Sequence, residues 1–362
     1  AGETLGLVGE SGSGKSVTAL SIMRLLSTAQ VSGQIRFWRK ENDPVELLQL
    51  PAPEMRRYRG RRLAMIFQEP MQALNPVLRC GEQVAEVLRR HLGLDRAGAR
   101  ESTLDWLRRV QLPDAERIYA AYPHQLSGGQ QQRVMIAMAL CCNPDILIAD
   151  EPTTALDVTV QRAILDLIAE LTGSWQGAVL FISHDLNVVA EVADRVLVMR
   201  AGRILEEGRV ERLFRQPRHP YTKGLLACRP PLNDRPRRLP VIDDFLETKA
   251  ASRPPAPTPL AGETPEQRLE RLAEADPLLE VRELHTWFPM RRRLGQPRLY
   301  LKAVNGVSFR IYPGETLGLV GESGSGKTTL GRSLLQLVTP RSGSVRYKNR
   351  ELTTASPAEW RR

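Results

Sequence analysis

Gly2-Glu-Thr-Leu-Gly-Leu-Val-Gly-Glu-Ser-Gly-Ser-Gly-Lys15 recurs letter for letter as Gly314 to Lys327, 312 residues further on. A hydroxyl residue follows each copy, Ser16 in one and Thr328 in the other. Both therefore fit G-x-x-x-x-G-K-[ST], a loop whose glycines let backbone N–H groups converge on phosphates at a helix N-terminus. Each copy follows a short apolar run that reads as a strand and precedes a helical pattern, the context that separates such a loop from a chance glycine-rich turn. In the first copy Gly9, Gly12 and Gly14 supply permissive backbone, with Ser11 and Ser13 between them. Lys15 offers a charge to the phosphates, Ser16 a hydroxyl to Mg2+, and Val17 continues into the helix. The second copy offers Gly321, Ser323, Gly324, Ser325, Gly326, Lys327, Thr328 and Thr329 for the same purposes. Two such loops at a fixed offset indicate a duplicated domain.

Between the copies, strands and helices alternate. Leu63 to Phe67, Ile146 to Ala149, Ala178 to Ser183 and Arg195 to Met199 read as strands, and Gly33 to Phe37 as a further one. From Asn75 to Leu140 the pattern is helical, with Glu82 to His91 and Arg100 to Val110 amphipathic. The plan predicts an α/β fold with a mostly parallel sheet and an inserted helical subdomain, present twice with the second copy truncated. Residues 1–228 read as a first domain lacking its N-terminal strands but ending in a short tail. Residues 229–277 read as a Pro/Arg-rich linker, with a short charged helix over 265–275, and residues 278–362 as the first part of a second domain. Mapping each half on the other predicts a parent of roughly 550–600 residues.

Asp150 follows the apolar strand Ile146 to Ala149, which puts its carboxylate at the C-terminal edge of the sheet beside the phosphate loop. Ligands bind at that edge in open α/β sheets. From there Asp150 can hold Mg2+ through water, and Glu151 is the candidate to polarise an attacking water.

Composition is that of a globular protein, and no apolar run approaches the roughly 18–20 residues that span a bilayer. The net charge of +10 comes largely from arginine, as in Arg56, Arg57, Arg59, Arg61 and Arg62 and in Arg291 to Arg293. Such clusters are weak evidence for a nucleic-acid surface and read here as solvated faces, so no nucleic acid is expected. The four cysteines have neither C-x-x-C pairing nor metal-binding spacing with histidine, and a reducing compartment is the simplest setting.

Leu126-Ser-Gly-Gly-Gln130 followed by Gln-Gln-Arg133 resembles the signature of ABC transporter ATPases. Other motifs follow in that family's order. Gln68 in Ile66-Phe-Gln-Glu-Pro70 is similar to the Q-loop, Ala155-Leu-Asp157 to the D-loop, and His184 in Ile182-Ser-His-Asp185 to the switch histidine. The resemblance implies an ATP- and Mg2+-dependent ATPase. Gln68 would touch Mg2+ and water, and His184 would reach the γ-phosphate. Ser127, Gly128, Gly129 and Gln130 would cap a nucleotide held on the opposite domain's loop, in a head-to-tail sandwich to which Asp157 also contributes. Adenine stacking falls to Trp287 or Phe288, with Phe288 preferred.

Phe67-Gln-Glu-Pro-Met-Gln-Ala-Leu-Asn-Pro76, Pro152-Thr-Thr-Ala-Leu-Asp157 and the tail His219-Pro-Tyr-Thr222 resemble ATPases of oligopeptide, dipeptide and nickel importers. Two such domains in one chain are similar to the fused ATPases of peptide, microcin C and glutathione importers. This resemblance implies two transmembrane permease subunits, a periplasmic binding protein, and a peripheral position on the cytoplasmic face of the bacterial inner membrane. The rival reading is a soluble tandem ABC ATPase acting on ribosomes or nucleic acid. The proline-rich linker and the His-Pro-Tyr-Thr tail fit it poorly.

Overall fold

A computed structural model describes residues 2–39, 42–154, 156–173, 175, 177–228, 240–246, 267, 270–272, 274–290, 299–322 and 324–355. Ser323, Ala155, the arginines at 291 to 293 and most of the expected linker lie outside the described residues. The chain divides into two compact units, Ala1–Thr258 and Pro259–Arg362.

In chain order the first unit contains β1 (Thr4–Val8), α1 (Lys15–Ile22), β2 (Arg36–Arg39), β3 (Asn42–Glu46), α2 (Ala52–Tyr58), β4 (Leu63–Ile66) and α3 (Pro70–Ala73). Then come α4 (Cys80–Leu92), α5 (Arg96–Arg109), α6 (Ala115–Ala120), α7 (Gly128–Leu140), β5 (Ile146–Asp150), α8 (Val158–Gly173), β6 (Ala178–Ser183) and α9 (Leu186–Val192). It ends in β7 (Arg195–Arg200), β8 (Arg203–Arg209), α10 (Val210–Arg215), α11 (Pro220–Ala227) and α12 (Ile242–Leu246). Six strands form one sheet in the order β4-β5-β6-β1-β7-β8, parallel except for the β7–β8 pair. Because helices cover both faces, β4 is buried along its whole length, the pattern of a parallel sheet. One face packs Leu7, Ile148 and Ile182 with Ala19 of α1 and Met55 and Tyr58 of α2. The other packs Val8, Ile66 and Leu147 with the helical insertion, including Leu88, Leu107, Ile118 and Ile136. Within the insertion, Asp95 and Asp114 accept from Gly98 N–H and Arg117 N–H and so cap α5 and α6.

The first helix closes at Ile22, because Arg24 turns to φ +50°. The strand expected from Gly33 starts at Arg36, since Gly33 itself has φ +115°.

The second unit contains β9 (Leu279–Pro289), β10 (Tyr300–Ile311), α13 (Lys327–Leu334), β11 (Ser342–Tyr347) and β12 (Arg350–Glu351). The strands form an antiparallel sheet in the order β10-β9-β11-β12. Val281, Leu284, Val304 and Val345 face Leu330 of α13, and the hydroxyls of Thr286 and Ser333 meet at 2.8 Å in this core.

One expectation fails here. Residues 315–320 repeat residues 3–8 but form no strand. Leu319 and Val320 are 55% and 90% exposed, whereas Leu7 and Val8 are 2% and 0% exposed. β1 is held by two parallel ladders, from β6 and β7. Among the described residues of the second unit nothing takes those two places, and a strand without ladder partners has no reason to stay extended.

The repeat offers an internal comparison. A Cβ added at Gly6 would sit 2.3 Å from Val189 Cγ1, while at Gly318 it would meet nothing within 4 Å. In this 362-residue chain Gly6→Ala is expected to destabilise by about 1–3 kcal/mol, and Gly318→Ala to stay within about 0.5 kcal/mol of the parent. Urea denaturation followed by tryptophan fluorescence measures both; equal effects would contradict the two environments.

Candidate functional site

After Val8 the chain turns through Gly9 to Gly14 into α1. Gly9 lies so close to β7 that a Cβ would stand 2.1 Å from the Met199 carbonyl oxygen. Gly14 caps the helix at φ +105°, a conformation glycine adopts without steric cost. Lys15 is buried, and its Nζ donates to the carbonyls of Gly9 and Glu10, each at 2.8 Å, and reaches Ser13 Oγ at 3.4 Å. Burial pushes the Lys15 pKa below its ordinary value, opposed by the carboxylates of Glu151, Asp150 and Glu10. The loop is also held from outside. Gly202 N–H donates to Ser13 O at 2.9 Å, and Glu10 N–H donates to the Tyr221 hydroxyl at 3.1 Å.

β5, paired in parallel with β4 and β6, delivers Asp150 at its C-terminal end. Asp150 is 3% exposed and accepts from Ser16 Oγ at 3.1 Å. Burial raises its pKa; the Ser16 hydroxyl and Lys15 oppose the rise, and Glu151 adds to it. Glu151 follows at φ +47°, a left-handed backbone costing a non-glycine residue on the order of 1–3 kcal/mol. Its N–H donates to Ile182 O at 2.9 Å. Its Oε2 accepts from Gln68 Nε2 at 3.1 Å and from Thr154 Oγ1 at 2.8 Å, and lies 3.2 Å from His184 Nδ1. Gln68 and His184 follow the C-terminal ends of β4 and β6, so four neighbouring strands deliver the cluster to one edge. Beside it opens a cleft of about 470 Å3, lined by Ser16, Leu20, Met65, Gln68 and Asp150 among others.

The remaining candidates lie apart from this cluster or outside it. Ser127 and Gln130 cap each other at the start of α7: Gln130 N–H donates to Ser127 Oγ at 3.3 Å, and Ser127 N–H to Gln130 Oε1 at 3.1 Å. Ser127 and Gly128 are exposed, and among the described residues no hydrogen bond joins Ser127, Gly128, Gly129 or Gln130 to the Lys15–Glu151 cluster. Asp157 accepts from Val160 N–H at the start of α8, and Val17 is exposed on α1. In the second unit Lys327 Nζ donates to Gly321 O at 2.7 Å and Glu322 O at 2.6 Å, and reaches Ser325 Oγ at 3.4 Å. Its loop thus has the same internal hydrogen bonds as the first, Gly326 capping α13 at φ +95° ahead of Thr328 and Thr329, with Gly324 at φ +80°. Phe288 is 38% exposed on β9, whereas Trp287 lies under the cations of Lys302 and Arg341, at 4.7 and 4.4 Å from its ring centre.

Thr154 and Tyr221 are the contacts that sequence reasoning did not assign. Thr154 carried a usable signal, a hydroxyl three residues after Glu151 across a turn. Tyr221 stood within the His219-Pro-Tyr-Thr222 motif, but nothing there pointed to its partner, 211 residues away.

Two family descriptions match the chain: ABC transporter over residues 1–154 and 304–362, and Oligopeptide/dipeptide transporter, C-terminal region, over residues 205–252. The glutathione import ATP-binding proteins GsiA of Escherichia coli O157:H7 and of Escherichia coli K12 are each 49% identical over 369 aligned residues. The alignment covers 99% of this chain and 57% of each relative, so the chain spans less than two thirds of their length. Among solved structures, a dimeric post-hydrolysis state of the ATP-binding cassette MJ0796 with ADP and Pi matches at a TM-score of 0.50 and 30% identity. A second dimeric structure of that bacterial ABC transporter cassette matches at 0.50 and 31%; each match covers 58% of this chain and 86% of the other. The ABC transporter matches take in both phosphate loops and more than half of the residues, on a sheet that gathers Lys15, Ser16, Asp150 and Glu151 at one edge, and the chain therefore belongs to the ABC transporter family.

Proposed function

We propose that this chain is the ATP-binding and hydrolysing part of an importer that moves peptides or related small solutes across a membrane. The observation that carries the reading is the Glu151 carboxylate, gripped by Gln68 and Thr154, next to His184, one residue beyond the Ser16–Asp150 pair. In this reading Gly9 to Ser16 hold the triphosphate, and Lys15 exchanges its loop carbonyls for β- and γ-phosphate oxygens. Glu151 orients water and takes its proton, and His184 and Gln68 keep that carboxylate in place. The oxygen donors of Ser16, Asp150 and Gln68 suit a hard divalent cation, and Mg2+ bound there would offset phosphate charge. Thr328 would have the same duty in the second loop.

The exposed α7 terminus at Ser127 to Gln130 suits capping of a nucleotide held on another cassette's loop, with Asp157 and Val17 beside that seam. Residues 1–228 would be one cassette with its tail, 229–277 a linker, and 278–362 the beginning of a second cassette, whose adenine would stack on Phe288. Two permease subunits and a periplasmic binding protein complete the importer, with this protein at the cytoplasmic face of the inner membrane. Among the described residues no helix is long and apolar enough to cross a membrane, so the passage would be formed by the permeases. The match to the oligopeptide/dipeptide transporter C-terminal region, which includes the His219-Pro-Tyr-Thr222 tail, favours import over action on ribosomes or nucleic acid.

Asp150 has its pKa raised in the folded chain, so it destabilises the nucleotide-free fold as pH climbs above the ordinary carboxylate range. Asp150→Asn is expected to raise the melting temperature of the nucleotide-free protein at pH 7.5 by roughly 1–3 °C while abolishing Mg2+-dependent ATP binding at the first site. A lower melting temperature, read by calorimetry, would contradict the first half.

ATPase activity of the full-length protein is expected to rise when its permeases are present in lipid. Glu151→Gln should cut it by at least about a hundredfold while leaving ATP binding intact. Turnover indifferent to permeases but raised by ribosomes would sink the importer reading.

A further inference from the structure

The His219-Pro-Tyr-Thr222 tail ends on the phosphate loop. His219 caps α11, its Nδ1 accepting from Tyr221 N–H at 3.1 Å. Glu206 of β8 fixes that cap by accepting from the N–H groups of Arg218 and His219 at 2.9 and 3.0 Å. Pro220 occupies the first helical position, where its missing N–H costs nothing. Tyr221, with none of its side chain exposed, then points its hydroxyl at Glu10 of the loop. Arg200, one residue beyond the Met199 carbonyl that crowds Gly9, stacks over the Tyr221 ring at 5.1 Å. On the far side Arg200 approaches Asp243 of α12 at 3.8 Å, and Phe245 packs on Gly224 of α11.

The two backbone polar groups of Glu10 are thereby both held, its N–H donating to Tyr221 and its carbonyl accepting from Lys15. Lys15 is the partner that must let go when a phosphate arrives. A tyrosine needed only to fill the core would have no use for its hydroxyl, and phenylalanine would fill the same space. We propose that Tyr221 is a positioning residue through which the C-terminal tail holds the first phosphate loop in its binding shape, and so sets the nucleotide affinity of that site. The inference rests on the ATP-binding reading above. It gives the tail a role in the ATP site as well as a place in the fold, and any movement of α11 would be transmitted to Glu10.

The test is Tyr221→Phe in the full-length protein, which keeps the ring and loses only the hydroxyl. Hydrogen–deuterium exchange without nucleotide reads the Glu10 amide directly. A fluorescent ATP analogue with Mg2+, in a Lys327→Ala background that weakens the second site, reads affinity at the first. Faster exchange confined to the loop and an affinity about fivefold weaker are expected, with core amides of β5 and β6 unchanged. Unchanged exchange at Glu10, or faster exchange spread through the core, would overturn the proposal. If the unsubstituted protein bound no analogue, the ATP reading would fail on its own, and the exchange measurement would still decide whether Tyr221 anchors the loop.

Discussion

The Lys15 ammonium is buried and satisfied by carbonyls of the loop that carries it. An unpaired charge in that position would be very costly, so the loop must curl around the side chain, and only glycine permits the curl at Gly9, against Met199, and at Gly14, at the helix cap. The curl in turn fixes where α1 starts and where Ser16 points. Ser16 then meets Asp150, which reaches it because β5 and β1 both flank β6 in a parallel sheet. Removing the apolar ladder would leave the charges with no reason to meet.

The cost of that meeting is visible in the folded chain. Desolvation disfavours the charged forms of both Lys15 and Asp150, and Glu151 holds a left-handed backbone. On the ATP-binding reading proposed above, an ammonium and a carboxylate whose charged forms burial disfavours would each gain a partner of opposite charge from a Mg2+–triphosphate ligand. Gln68, Thr154 and His184 restrain Glu151 from three directions, and that over-determination lets a strained residue persist. The second loop reproduces the internal hydrogen bonds of the first around Lys327, so that part of the geometry is encoded locally.

What could be read from the chain followed the range of the interaction. Gly9 to Ser16 and the Ser127–Gln130 cap are local, and their structure matches their spacing. Asp150 and Glu151 were legible because an apolar strand ends just before them, and the sheet edge follows. Gln68 and His184 drew on family resemblance, since nothing in their own neighbourhoods says that they converge on one carboxylate. Thr154 lies within a local turn of Glu151 and was legible in principle, whereas Tyr221 stayed out of reach because its partner, Glu10, is chosen by tertiary approach. Residues 3–8 and 315–320 make the limit plain: one sequence forms a central strand where two neighbours supply ladders and an exposed irregular segment where none is described. Likewise Trp287 and Phe288 are adjacent in sequence, but the structure separates them: the Trp287 ring is flanked by cations, and Phe288 is exposed.

In the proposed function Lys15, Ser16 and Asp150 would form the Mg2+–nucleotide site, with the Lys15 ammonium released to it from the carbonyls of its own loop. A crystal structure of the protein with Mg2+ and a non-hydrolysable ATP analogue tests it most directly. The account predicts Lys15 Nζ moved from the Gly9 and Glu10 carbonyls to phosphate oxygens, with the metal beside Ser16 and Asp150. Nucleotide bound elsewhere, or a Lys15 still tied to its loop carbonyls beneath it, would contradict the account.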